Sequence, residues 1–163
     1  MPIVDLRDGL GRIKGKRVTA VAEDIPPGFE EYFHPGPFGE LVGPYYHREL
    51  PDGGFVRAFR ALEKHINQVG LVQGGMLCTF ADQLITTSMI RAGIEGVTVN
   101  LNINFMNPVR LGDWVEGTSE VTRDGKRIIW ARGELTSGDK TILTAQGLWQ
   151  KTSFGKGLVD RTD

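Results

Sequence analysis

The stretch Asn67-Gln68-Val69-Gly70-Leu71-Val72-Gln73-Gly74-Gly75, running on into Met76-Leu77-Cys78-Thr79-Phe80-Ala81-Asp82, decides how the rest of the chain is read. A Gly pair opening a helix leaves unpaired backbone N–H groups and the positive end of the helix dipole at one spot. That spot suits a phosphate, a carboxylate or a developing oxyanion. The run that follows is apolar at Met76, Leu77, Phe80, Ala81, Leu84 and Ile85, and it carries one acid, Asp82. A carboxylate there is costly unless it is paired or used. An oxyanion donor and a misplaced acid in one segment point to acyl chemistry. Gly74 and Asp82 are separated by about 12 Å of helix rise, so one carbonyl cannot touch both on the same helix. If both act on one substrate, two copies of the chain must supply them, which argues for a homodimer with shared sites.

Outward from this segment the pattern changes. The helix is expected over Gly74 to about Arg91, stopped at Gly93. Val97, Val99, Leu101, Ile103 and Phe105 then alternate with Thr98, Asn100, Asn102 and Asn104 in a strict period of two, the mark of a strand. Pro108 ends it and Leu111-Gly112-Asp113 makes a turn. Further strands are expected at 114–122, 127–136 and 141–150, joined by the hairpin turns Arg123-Asp124-Gly125-Lys126 and Ser137-Gly138-Asp139-Lys140. Upstream, Val56 to His65 can form a strand, and a short helix can start near Pro27. Phe29, Tyr32, Phe33 and Phe38, in a segment punctuated by Pro35-Gly36-Pro37, read as a cover that lines a pocket or caps the core. One helix followed by a meander of strands is an α+β layout with the helix on an antiparallel sheet. The expected division is a leader and cover over residues 1–40, one domain over 41–152 and a tail over 153–163.

Composition narrows the function classes. In 163 residues, 40% hydrophobic and 24% charged content is ordinary for a globular domain, and a net charge of -1 gives no reason to expect nucleic acid or an anionic membrane as partner. One cysteine, Cys78, rules out an internal disulfide, and three scattered histidines make a metal cluster improbable. The N-terminus has no signal-like apolar region and no apolar run is long enough to span a bilayer, so a cytoplasmic setting is the default expectation. Cys78 reads as core. His34-Pro35 superficially resembles the histidine loop of hotdog dehydratases, but its neighbours do not fit. Asn100, Asn102 and Asn104 form either a solvated face or a polar seam against a partner. Trp114, Trp130 and Trp149 all fall on expected strands, as core or interface.

The order of parts resembles the hotdog fold, a curved antiparallel sheet wrapped around one long central helix. More narrowly, Asn67, Gly70, Gly74-Gly75, Asp82, the strand Gly96-Val97-Thr98-Val99-Asn100-Leu101-Asn102 through Phe105-Met106-Asn107-Pro108, and Gly112-Asp113 resemble the phenylacetate-degradation-type acyl-CoA thioesterases. The resemblance covers about residues 40 to 152. It implies that the Gly74 N–H meets the thioester oxygen and that Asp82 of the other subunit is general base or nucleophile. It also implies that Asn67 positions water or thioester, and that Thr98 supports the acid. Gln73 stands where that family carries His. Gln donates and accepts hydrogen bonds but exchanges no proton near neutral pH. Gly75, Phe33, Phe38, Arg123, Lys126 and Arg127 are the candidate substrate contacts; Lys140 and Lys151 are further cations for CoA. No cofactor and no metal is implied. The expected function is therefore acyl-CoA thioester hydrolysis by a homodimer or dimer of dimers. A non-hydrolytic acyl-CoA sensor or carrier is the alternative, and the acyl group stays open.

Overall fold

A computed structural model describes residues 24–32 and 36–152. Its elements follow the order β1 (Glu30–Glu31), α1 (Gly36–Val42), β2 (Tyr46–Glu49), β3 (Phe55–Arg60), a single 3₁₀ turn (Glu63–His65), α2 (Gly74–Arg91), β4 (Gly96–Phe105), β5 (Trp114–Asp124), β6 (Ile128–Ser137) and β7 (Lys140–Lys151). The strands form one antiparallel sheet in the order β1-β2-β3-β5-β6-β7-β4. The sheet curves over α2, as the hotdog resemblance implies. No helix among the described residues is long and apolar enough to cross a membrane.

The helix forms where the sequence places it. Met76, Leu77, Phe80, Ala81, Leu84, Ile85 and Met89 are its buried residues, spaced by three and four so that they fall on one face. They pack on Phe59, Val115, Ile129, Leu135, Leu143 and Trp149 of the sheet. At full burial each such large side chain contributes about 1.5–3 kcal/mol before entropy is subtracted. Gly117 makes close approach possible: a Cβ there would lie 2.6 Å from Leu135 and 2.7 Å from Leu84. The helix stops at Gly93, with φ 72°, and the N–H groups of Gly93 and Ile94 return to the carbonyls of Ile90 and Met89.

Three local expectations are corrected. Pro27 and Gly28 form a turn, and the short helix lies further on, at Gly36–Val42. Pro27 is followed by Gly28 at φ 85°, which breaks the chain away from a helix. The strand expected from Val56 to His65 ends at Arg60; Glu63–His65 is the 3₁₀ turn, because the His65 ring folds back to accept the Leu62 N–H at 3.0 Å. The alternation along β4 is also not strict. Thr98 pairs with Trp149 and Asn100 with Leu148, leaving Val99 as an extra residue, a β-bulge. The bulge reverses the facing, so Thr98 turns toward α2. Asn100, Asn102 and Asn104 point away, with the Asn102 amide donating to Asn100 at 2.5 Å.

Of the aromatics in the expected cover segment, Phe29 is buried and meets Trp114 edge-on at 5.1 Å, whereas Phe38 is exposed. Phe33 and His34 lie outside the described residues. Trp149 is fully buried, Trp114 packs beside Phe29 and Tyr46, and Trp130 is on the surface under Arg123.

Candidate active site

The helix start is built by backbone geometry. Gln73, with φ -60° and ψ 130°, is extended and caps α2; its N–H is tied to the His65 carbonyl at 2.7 Å. Val72 donates to the Val109 carbonyl at 2.9 Å. The first donors into the turn are Met76 and Leu77, which both reach the Gln73 carbonyl. The N–H groups of Gly74 and Gly75 have no backbone acceptor among the described residues, as the first turn of a helix requires. Beside Gly74 is a cavity of about 260 Å³ whose lining includes Asn67, Leu77, Phe105, Met106 and Asn107.

Asn67 ties the loop in front of this cavity. Its Oδ1 accepts from the N–H groups of Val69, at 3.0 Å, and Leu71, at 3.2 Å. Its carbonyl accepts from Gly70, whose φ of 86° the turn demands. The oxygen is therefore committed to the loop, and only the Nδ2 hydrogens remain to meet a substrate. His65 anchors the same loop from below. It is 3% exposed, its Nδ1 accepts from Leu62 and its Nε2–H therefore donates to the Val42 carbonyl at 2.7 Å. Burial holds the pKa of this imidazole below its ordinary value, so it stays neutral. Sequence reasoning passed over His65; a histidine just ahead of the Asn67 loop was the available signal.

Asp82 lies two turns further along α2, half-buried, and its Oδ1 accepts the Thr98 hydroxyl at 2.8 Å. The expected pairing of Thr98 with the acid is thus present, and the bulge at Val99 is what delivers it. Within one chain, Asp82 with Thr98 and the Gly74 cavity stand at opposite ends of β4, because Phe105 packs 3.4 Å from where a Gly74 Cβ would sit. One chain does not bring donor and acid together.

The remaining candidates divide. Gln73 and Gly75 are exposed at the helix start. Phe38 is 59% exposed on α1 and is not part of the lining beside Gly74, so it is no wall of that cavity in a single chain. Lys126 and Arg127 line a cavity of about 460 Å³ with Ile128, Gln150 and Lys151. Lys151 pairs with Asp124 at 2.5 Å and sits opposite Gly96, two residues from Thr98. This group of cations belongs to the Asp82 end of β4. Arg123 does not join it: a second bulge at Thr122 aligns Arg123 with Trp130, over whose ring it stacks at 4.9 Å. Burial raises the Cys78 thiol pKa, in keeping with a core residue and not a nucleophile.

The model of the thioesterase superfamily matches residues 69–144, from the Asn67 loop into β7. A Pseudomonas aeruginosa protein provisionally named an esterase is 33% identical over 129 residues, covering 77% of this chain and 96% of its own. Human acyl-coenzyme A thioesterase 13 is 31% identical over 97 residues, 58% of this chain and 69% of its own. Among solved structures, the phenylacetic acid degradation protein PaaI from Thermus thermophilus shares the fold with a TM-score of 0.65, at 23% identity over 72% of this chain and 100% of that one.

Proposed function

The chain belongs to the thioesterase superfamily, and on that premise we propose that it hydrolyses an acyl-CoA thioester at a site shared between two copies of itself. The observation that carries the shared site is β4. It is the sheet's edge, ten residues long, and Val97, Val99, Phe105 and Met106 are 44–59% exposed along it and just beyond. A long apolar edge strand invites pairing with another chain. Antiparallel pairing of two β4 strands about a twofold axis near Leu101 and Asn102 covers both apolar ends. It also sets Thr98 and Asp82 of one subunit against Phe105 and Gly74 of the partner subunit, which removes the 12 Å obstacle (about 12 Å of rise).

In that site the thioester carbonyl oxygen takes the Gly74 N–H, where negative charge develops in the transition state. Asp82 accepts a proton from water as the water oxygen bonds to the carbonyl carbon. The carbon–sulfur bond then breaks, releasing CoA thiolate and the free acid. Asn67 contributes its Nδ2 hydrogens at the cavity, and Gln73, exposed and next to the donor, orients the thioester without moving a proton. Thr98 holds the Asp82 carboxylate. Lys126 and Arg127, on the Asp82 side, meet the phosphates of CoA. The test is thiol release from a panel of acyl-CoAs: turnover that Asp82→Asn lowers at least about a hundredfold supports the reading, and binding without thiol release rejects it.

A further inference from the structure

Trp130 is a large aromatic side chain on the side of the sheet away from the core. Its neighbours Ile129 and Ala131 are buried toward α2, so Trp130 points out, and it is 36% exposed. The other two tryptophans are covered: Trp149 is fully buried and Trp114 packs beside Phe29 and Tyr46. The Arg123 guanidinium lies 4.9 Å from the Trp130 ring centroid. The β5–β6 hairpin turn presses on the ring's edge, since a Cβ at Gly125 would come within 3.0 Å of its Cζ3.

That turn carries Lys126 and Arg127, both exposed, which line the cavity of about 460 Å³ with Ile128, Gln150 and Lys151. Asp124 beside them is answered by Lys151 at 2.5 Å, so the charge the turn offers is positive. Ile128 is two residues before Trp130 on the same outward face, roughly 6.6 Å along the strand. Cations for phosphate and an open ring for a base therefore stand one side-chain step apart, as a ribose sets a base beside its phosphate. An aromatic ring with an arginine on it holds a purine by stacking. The register connects this corner to the acid. Ile128 is paired with Gln150 and Gln150 with Val97, which adjoins Thr98, the residue bonded to Asp82 at 2.8 Å. Two strand spacings are roughly 10 Å. The pantetheine arm of CoA, about a dozen bonds of roughly 1.5 Å each, spans that distance.

We propose that Trp130, supported by Arg123, stacks the adenine of CoA, so that the protein reads the nucleotide end of its substrate and prefers CoA thioesters to thioesters of phosphopantetheine alone. This rests on the thioesterase reading, with Asp82 at the reacting carbon and Lys126 and Arg127 at the phosphates.

The test takes the ratio of kcat/KM for hexanoyl-CoA to that for hexanoyl-4′-phosphopantetheine, which keeps a phosphate and lacks the adenosine, by thiol release. Trp130→Ala is expected to lower this ratio at least about fivefold, through KM for the CoA thioester, the low end of what one stacked base contributes. Trp130→Phe, which keeps an aromatic face, is expected to restore part of it. A ratio unmoved in Trp130→Ala overturns the inference while leaving the thioesterase reading intact. A second readout needs no turnover: adenosine 3′,5′-bisphosphate is titrated into the wild-type protein and tryptophan fluorescence is followed, with inorganic phosphate as control. Quenching by the nucleotide, absent with phosphate and lost in Trp130→Phe, supports the stack even if neither thioester is cleaved. No quenching, quenching that phosphate reproduces, or equal quenching in Trp130→Phe overturns it.

Discussion

Replacing Gly74 by proline isolates the oxyanion donor from everything else at the helix start. Proline removes the backbone N–H, and the Gly74 N–H has no backbone acceptor to lose. It is the first residue of α2, where proline's fixed φ is favourable. The residue before a proline must be extended, and Gln73 already is, at φ -60° and ψ 130°. The added Cβ would meet only Phe105, at 3.4 Å, an ordinary contact. Folding stability should therefore change by less than about 1 kcal/mol, within the range of a tolerated substitution to proline. Loss of one oxyanion donor costs roughly 2.7–4 kcal/mol in the barrier, a factor of about 10²–10³ in kcat. Gly74→Ala keeps the N–H and should stay within about threefold, well under the 1.4 kcal/mol that a tenfold change represents. The assay is thiol release under saturating acyl-CoA, beside a thermal melt of each variant. A folded Gly74→Pro protein at wild-type kcat would refute the assignment of Gly74 as donor.

Other expectations follow from the same geometry. Thr98→Val removes the 2.8 Å hydrogen bond to Asp82 and should lower kcat by about tenfold to 150-fold, matching roughly 1.5–3 kcal/mol for a bond to a charged group; Thr98→Ser should rescue it, and an unchanged kcat in Thr98→Val removes Thr98 from the mechanism. Gly117→Val forces a branched side chain against Leu84 and Leu135 and should destabilise by at least about 1–3 kcal/mol, read by urea denaturation; no loss would mean that the helix does not sit this close. His65 is neutral in the fold with its pKa below the ordinary 6.5. The unfolded chain therefore takes up the proton first as pH falls, and stability present above about pH 6.5 declines below it. Thermal melts from pH 7.5 down to 5.5 should show this, less steeply in His65→Gln; identical slopes would remove His65 as the cause.

Much of the fold was legible because its signals are local. Gly74-Gly75 and Gly93 bound α2, and the Asp/Gly pairs at 124–125 and 138–139 mark the hairpins; of these, Gly93 at φ 72° and Gly138 at φ 59° take a conformation that few other residues adopt. The segment ahead of residue 41 was not legible, because β1 has two residues and exists only through its pairing with β2. The bulge at Val99 is likewise a tertiary event: nothing in Thr98-Val99-Asn100 marks it, and the hydrogen bond to Asp82 appears only when helix and strand meet. Asp82, Gly74 and Asn67 were readable from a segment where an acid and a Gly pair break an apolar pattern. The outward facing of Trp130 was not readable, because Ile128-Ile129-Trp130-Ala131 is apolar throughout and does not say which side meets the core.

The shared site is tested most directly by subunit mixing. Asp82→Asn and Gly74→Pro proteins, each inactive alone, are unfolded, mixed in equal amounts and refolded together, with exchange verified by a mass-tagged partner. In each heterodimer one composite site has both an intact Gly74 and an intact Asp82, so the mixture should recover about a quarter of wild-type activity, as an isologous dimer with random exchange requires. No recovery after verified exchange would contradict a site in which one subunit's Asp82 serves the other's helix start.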